Sequence, residues 1–180
     1  DGSWDYTGTT TGDGDDIDTT ALALVALRSG GLTTADADVA AGVAFLAARQ
    51  QASGAWQAFG ADDPNSTGVA TVALSDLHID TSTAGWRTTF GTPATGTYVS
   101  PQAWLASQQA GDGHIASPND GWGVNTFATS QATQALARQW FLNGERELLI
   151  EDWSRTLASP AANPVSTVGN ALASDLLGGN

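Results

Sequence analysis

Ala-rich segments with apolar side chains at helical spacing alternate along the chain with loops rich in Gly, Asp, Pro, Ser and Thr. In the clearest case, Val39, Val43 and Leu46 recur at positions i, i+4 and i+7, which places them on one face of a helix over 35–51. The same reasoning predicts helices over 18–28, 65–77, 125–142 and 145–157, and others that begin at Ser100 and Asn163. Because no segment alternates with a period of two over a useful length, the sequence predicts an all-α fold.

The helix over 65–77 begins at Asn65 or Ser66, since small polar side chains are preferred as helix N-caps. Its apolar residues Val69 and Val72 are predicted to face the core. The stretch that follows, 78–99, contains three Gly residues and one Pro and is predicted to be a long irregular connection.

Two sequence elements repeat along the chain. The first is an Asp or Asn beside Thr or Ser that leads into a small-residue helix, here called an inner helix, over 18–27, 65–74 and 125–136. The second element is a Leu, then a Gln, a Gly and a Trp or Ile at constant spacing. Its members are Leu46, Gln50, Gly54 and Trp56 in one copy and Leu105, Gln109, Gly113 and Ile115 in the other. Gly2-Ser3-Trp4 matches the end of an earlier copy, so the unit is a repeated helical hairpin.

This unit resembles the QW-type repeat of squalene and terpenoid cyclases and the related repeats of prenyltransferases. Similar repeats occur in secreted bacterial proteins and cobalamin carriers. The resemblance implies a partial or small α/α toroid of helical hairpins over 1–142, with a C-terminal helical pair over 143–180 that packs on or closes the repeats. It also implies bracing roles for the Gln and Trp residues, because in the family the Gln ties a helix end to a neighbouring turn.

The charge balance limits the classes of partner. Nineteen acidic residues face six Arg and no Lys, for a formal net charge of −13. This balance argues against nucleic acid and anionic membrane surfaces, which are bound through basic patches. No apolar run approaches the roughly 20 residues that span a bilayer. The absence of Cys excludes a disulfide framework and the Asp, Cys and His zinc site of protein prenyltransferases.

Composition also predicts a location. The chain starts at Asp1, contains no Met, and is rich in Ala, Thr, Gly, Ser and Asn, which is typical of a secreted or extracellular surface protein. Removal of a signal peptide explains this N-terminus, although a chain trimmed in another way has the same sequence.

The strongest catalytic signal is the run from Asp16 to Ala21. It resembles the Asp-x-Asp-Asp-Thr-Ala motif of class II terpene cyclases, whose middle Asp protonates an alkene or epoxide. On this comparison Asp18 is the general acid and Asp16 the first Asp of the motif, but Thr19 replaces the Asp that follows. Cation–π stabilisation of a carbocation requires aromatic rings, and Phe127 is the only aromatic residue of the inner helices. The preferred alternative makes Asp18 a helix N-cap.

The acidic loop before the first inner helix is a candidate metal site. Asp13, Asp15, Asp16 and Asp18 offer several carboxylate oxygens, the ligands that Ca²⁺ prefers, although their spacing is not that of an EF-hand. The alternative is a solvated acidic loop. Acidic loops that precede each inner helix are expected to cluster at one end of the fold.

Three aromatic residues in Gly-rich loops, Trp86, Tyr98 and Trp122, are candidate ligand contacts, because such rings either stack on sugars or plug helix ends. The function that the sequence favours is non-catalytic: a secreted or cell-surface module that binds a protein or ligand, or assembles with copies of itself. The alternatives are a class II terpene-cyclase-like enzyme that uses Asp18, and a carrier of a small molecule such as cobalamin.

Overall fold

The computed structural model describes residues 1–7, 16–119 and 126–140, with side chains up to residue 137 in the last segment. Its elements are α1 (Ile17–Ser29), α2 (Ala37–Arg49), β1 (Gln57–Ala58), β2 (Ala61–Asp62), α3 (Pro64–Asp76), α4 (Gly85–Thr89), α5 (Pro101–Ser107) and α6 (Thr126–Trp140). The prediction of an all-α fold is confirmed, with one two-residue antiparallel hairpin added in the described part.

The chain divides into a compact unit of Asp1–Gln139 and a second unit of Trp140–Asn180. The helices predicted over 145–157 and from Asn163 lie outside the described residues. The domain division at 142 and 143 therefore stays a prediction. The ring arrangement of a toroid stays a prediction as well.

Helices α1 and α3 begin at Asp residues whose side chains cap them. The Asp16 carboxylate accepts a hydrogen bond from the backbone N–H of Asp18 at 2.9 Å. The Asp63 carboxylate accepts from the N–H groups of Asn65 and Ser66 at 2.7 and 3.0 Å. Such caps satisfy N–H groups that have no partner within the helix. The predicted N-caps were Asp18 for α1 and Asn65 or Ser66 for α3. These predictions are wrong, because the caps lie two or three residues earlier in the chain.

Helices α1 and α3 run side by side and parallel. At their N-terminal ends, the Ser66 hydroxyl hydrogen-bonds to the Asp18 carboxyl group. At their C-terminal ends, the Arg28 Nε–H donates to the carbonyl oxygen of Asp76 at 3.0 Å. Helix α2 packs on α1, and α5 packs on α3. The inner helices α1 and α3 therefore lie next to each other, and each packs against its own partner helix, α2 or α5.

Helix α3 is the centre of the core and is buried around most of its circumference. Its buried side includes Thr67 and Thr71, while Val69 and Val72 remain partly exposed. The two valines pack against the hydrophobic core as predicted but are only partly buried, so the fully buried side of the helix is a different one. The buried hydroxyls are accommodated because each donates or accepts a hydrogen bond within the fold.

Helix α6 lies directly against α3. A Cβ on Gly68 would lie 3.1 Å from the Cβ of Gln131, so the absence of a side chain at Gly68 permits the close approach of the two helices. A second apolar cluster forms where they meet, and its buried members are Leu105, Ile115, Ala128, Ala132 and Ala135. The third inner helix thus extends the row that α1 and α3 begin.

Candidate functional site

The repeated Gly-x-Trp or Gly-x-Ile turns are bonded to the inner helices in the same way three times. In each copy, the backbone N–H of the Trp or Ile donates to a Thr hydroxyl, and that hydroxyl faces the carbonyl oxygen of the same residue. The pairs are Trp4 with Thr20 at 3.0 Å, Trp56 with Thr67 at 2.9 Å, and Ile115 with Thr129 at 2.9 Å. One hydroxyl therefore satisfies both polar groups of the turn residue and fixes the helix against it.

The Gln residues of the repeat hold the same turns from the other side. The Nε2 groups of Gln50 and Gln109 each donate to the carbonyl oxygen of the turn glycine, Gly54 or Gly113, at 3.0 Å. At Gly54, φ is 95° and a Cβ would lie 2.7 Å from the carbonyl oxygen of Val99, so no other residue is accommodated without movement. These repeat residues are structural in the described part of the chain.

The aromatic side chains beside the turns are also used inside the fold. Trp56 is fully buried and its Nε1–H donates to the carbonyl oxygen of Leu46 at 2.8 Å. Its ring packs 6.1 Å from the ring of Trp86, which is 5 % exposed. The Trp86 Nε1–H donates to the Tyr98 hydroxyl at 2.9 Å, and that hydroxyl donates to the carbonyl oxygen of Thr81 at 2.7 Å.

Among the predicted sugar contacts, Trp86 and Tyr98 thus form a connected pair that plugs the loop after α3. Burial raises the pKa of the Tyr98 hydroxyl above its ordinary value, even though the hydrogen bond from Trp86 acts in the opposite direction. Trp122 lies outside the described residues.

The inner helices present one continuous stripe of partly exposed side chains. Asp18 and Leu22 on α1 occupy the same repeat positions as Asn65 and Val69 on α3, and as Phe127 and Gln131 on α6. Residues four apart lie on one face of a helix, and the three helices are neighbours in a row. We call these six positions the repeat face. Leu22 and Phe127 are 60 % and 59 % exposed.

Three oxygens of the repeat face accept no hydrogen bond although each is buried. They are Asp18 Oδ1, Asn65 Oδ1 and Gln131 Oε1, one from each inner helix. Buried acceptors of this kind are uncommon, because each loses its hydrogen bonds to water without replacement. The repeat face therefore combines unused acceptors with exposed apolar side chains.

Asp18 is the ionisable group of this face. Burial raises the pKa of its carboxyl group above the ordinary 3.8. The hydrogen bond from Ser66 lowers the pKa, and the nearby charges of Asp16 and Asp63 raise it again. The structure thus assigns the cap to Asp16 and leaves Asp18 as a carboxyl group whose ionisation is opposed by its surroundings.

The loop before α6 contacts the N-terminal end of α3. Asp63 accepts hydrogen bonds from the Ser117 hydroxyl and from Asn119 Nδ2, both in the loop that precedes α6. Of the predicted calcium ligands, Asp16 caps α1 and Asp18 lies on the repeat face, while Asp13 and Asp15 lie outside the described residues. Within the described ranges, no group of three His, Cys, Asp or Glu side chains is placed to hold a metal ion.

Sequence reasoning found Asp18 but did not identify Asn65, Phe127 and Gln131 as site residues. Asn65 falls at the position of Asp18 in the second copy, and Gln131 lies four residues after Phe127. In each copy a threonine, Thr20, Thr67 or Thr129, bonds the turn residue. Alignment of the three inner helices on these threonines places Asn65 and Gln131 at positions of the repeat face.

Comparisons with protein-family models, with curated proteins and with solved structures found no match to this chain. None of the helices in the described part is long and apolar enough to cross a membrane.

The raised pKa of Asp18 predicts a pH-dependent effect on stability. The native state holds this proton more tightly than the unfolded chain, so the free energy of unfolding falls as the pH rises from about 3.8 through the folded-state pKa. Asp18→Asn removes the ionisable group and therefore also the decrease in unfolding free energy at higher pH. We expect the variant to be more stable than the wild type at pH 7 by roughly 0.5–1.5 kcal/mol, with the difference disappearing below about pH 3.

Urea unfolding followed by circular dichroism at several pH values measures this effect. Asp38→Asn, at an exposed position in the first turn of α2, removes the same charge and is the matched control. A destabilised Asp18→Asn at pH 7 would show that the carboxylate has a favourable partner at this position.

Proposed function

We propose that this protein is a non-catalytic secreted or cell-surface binding module, built as an α/α-toroid-like repeat, whose repeat face binds a basic side chain of a protein partner. The observation that carries the proposal is the set of three buried, unpaired oxygens at Asp18, Asn65 and Gln131, one on each inner helix. Gln50 Oε1 also lacks a hydrogen-bond partner, but it belongs to the turn, whereas these three oxygens lie on the repeat face beside its exposed apolar side chains.

The chemistry of the repeat face favours a lysine-type ligand. An ammonium group carries N–H donors and a positive charge, which suit the Asp18 carboxyl group and the neighbouring charges of Asp16 and Asp63. The aliphatic stem of a lysine packs on apolar surface, and Leu22, Val69 and Phe127 provide that surface. A net charge of −13 attracts a basic partner to the protein at long range.

Binding of two small probes tests the proposal. N-acetyl-lysine methylamide and N-acetyl-norleucine methylamide share the apolar stem, and only the first carries the ammonium group. We expect the lysine probe to bind at least about 10-fold more tightly, because charge-assisted hydrogen bonds add to the apolar contact. Isothermal titration at low salt measures both affinities. Equal binding of the two probes, or no binding of either, would contradict the proposal.

A variant and a pH series locate the contribution of Asp18. Asp18→Asn should weaken binding of the lysine probe, and Asp38→Asn should leave it unchanged although the net charge changes equally. Binding to the wild type should weaken as the pH falls through the raised pKa of Asp18, since protonation removes the charge of the acceptor.

The raised pKa of Asp18 also favours a second candidate, a class II terpene-cyclase-like enzyme in which this carboxyl group is the general acid. A carboxyl group with a raised pKa keeps its proton to higher pH, which a general acid that protonates an alkene or epoxide requires. Incubation with a linear isoprenoid alkene in D₂O tests it, because protonation of the alkene leaves the deuteron on carbon, where it does not exchange. Deuterated cyclic product from the wild type and none from Asp18→Asn would support catalysis, and absence of product from both would leave the binding module as the conclusion.

A further inference from the structure

The tip of the β1–β2 hairpin carries an aromatic side chain that the fold does not use. Phe59 is 96 % exposed, and its φ of 50° lies in the left-handed region. Gly60 follows at φ 82°, so the pair has the positive φ values of a type I′ turn. Asn, Asp or Gly is favoured at such positions, and a bulky residue there is an outlier. Phe59 therefore has an unfavourable backbone conformation and also exposes a complete aromatic ring to water.

A pocket of matching size opens beside the same hairpin. Its volume is about 130 Å³, and it is lined by Ile17, Phe45, Arg49, Gln51 and Gln57. Ile17 and Phe45 are buried at 8 % and 4 % exposure and form its apolar wall. The other three lining residues are polar, so an aromatic ring in this open pocket packs on Ile17 and Phe45 and is bordered by polar side chains. The guanidinium group of Arg49 lies 5.2 Å from the centre of the Phe45 ring and 4.0 Å from the Asp1 carboxylate.

The ring and the pocket belong to one small surface. Gln57, at the rim of the pocket, lies in β1 two residues before Phe59. Phe59 does not enter the pocket of its own chain, because the turn directs its ring away from the protein. A second copy related by a two-fold axis beside the hairpin is the arrangement that would bring each ring to the other copy's pocket, because ring and pocket belong to the same part of the surface. Such a self-complementary patch is the basis of a closed dimer.

We propose that two copies of this chain associate through reciprocal insertion of Phe59 into the pocket formed by Ile17, Phe45 and Arg49. This surface is distinct from the repeat face, so the proposal does not rest on the proposed function. Because both copies carry a net charge of −13, repulsion opposes association at low ionic strength. The dimer is therefore expected to become tighter as salt is added, up to the point where charges are screened.

Sedimentation velocity of the whole chain over a concentration range from about 10 µM to 1 mM, at low and high salt, tests this proposal. The decisive variant is Phe59→Asn. Asn tolerates a left-handed φ before Gly, so the variant should fold with an equal or higher urea midpoint while its dimerisation weakens at least about 10-fold. Tyr6→Asn, which removes another exposed aromatic ring, should leave dimerisation unchanged.

A second variant tests the pocket. Gln51→Phe places a ring of the same chain at the pocket and should weaken dimerisation as Phe59→Asn does. A wild-type chain that remains monomeric at the highest concentration would overturn the proposal. Weakening by Phe59→Asn with no effect of Gln51→Phe would overturn the assignment of the pocket. Binding of the lysine probe should be unchanged in Phe59→Asn, so a failure here and a failure at the repeat face are distinguishable.

Discussion

Trp56→Ala is expected to destabilise the fold by about 4 kcal/mol, close to the whole stability of a small domain. The side chain is fully buried between α2 and the Trp86 ring, and its Nε1–H satisfies the carbonyl oxygen of Leu46. Removal leaves a large cavity and takes away one of the two hydrogen bonds of the Leu46 carbonyl oxygen, which keeps the bond from the backbone N–H of Gln50. Urea unfolding followed by circular dichroism at 222 nm measures the loss.

Trp104→Ala is the matched control. Trp104 is only partly buried at the edge of the second apolar cluster, so its removal exposes less new apolar surface. We expect a cost of about 1–2 kcal/mol. If the two variants were equally destabilised, Trp56 would not have the central position that the structure gives it.

Thr67→Val is expected to cost about 2 kcal/mol, because it removes a hydroxyl and leaves the volume of the side chain unchanged. Thr67 is fully buried and accepts the backbone N–H of Trp56 at 2.9 Å. After the substitution that N–H is buried without a partner. The same brace occurs at Thr20 and Thr129, so the variant measures the bond that defines the repeat.

Thr71→Val is the control that distinguishes loss of the hydrogen bond to the turn residue from loss of any buried threonine hydroxyl. Thr71 is also fully buried on α3, but its hydroxyl donates to the carbonyl oxygen of Thr67 within the helix. That carbonyl group lies within the α-helix and has a backbone partner there, so a cost within about 0.5 kcal/mol is expected. Comparable losses at Thr67 and Thr71 would contradict the brace as a special contact.

The sequence predicted the buried side chains best in a helix that has one side in solvent. In α2, Val39, Val43 and Leu46 are all fully buried, as their spacing indicated. In α3 the same reasoning found only the partly buried side, because that helix is covered by α1, α5 and α6 around most of its circumference. Its small and hydroxyl residues are therefore buried, and its valines lie on the partly exposed stripe.

Other features left too little local signal in the sequence. The hairpin strands are two residues long, which is shorter than any period that an alternating pattern can show, and Phe59 stands where a turn usually has Asn or Asp. The caps were misplaced because several neighbouring polar residues satisfy the same rule, and only the geometry of the Asp16 and Asp63 side chains decides between them.

The candidate site was predictable in part. Asp18 stood out through its motif, whereas the expected clustering of acidic loops stays a prediction, because Asp13, Asp15 and Asp120 lie outside the described residues. The unpaired oxygen of Gln131 could not be predicted, because it depends on how closely α6 approaches α3 at Gly68. That distance is a property of helix packing and not of either segment alone.

The most direct test of the central claim is a map of amide chemical-shift changes in the ¹⁵N-labelled protein on addition of N-acetyl-lysine methylamide. The account predicts saturable changes along the exposed stripes of the inner helices, around Asp18, Asn65 and Gln131, and none at the hairpin over 57–62. Changes confined to other parts of the chain, or the same changes with the norleucine probe, would contradict the assignment of the repeat face as the binding site.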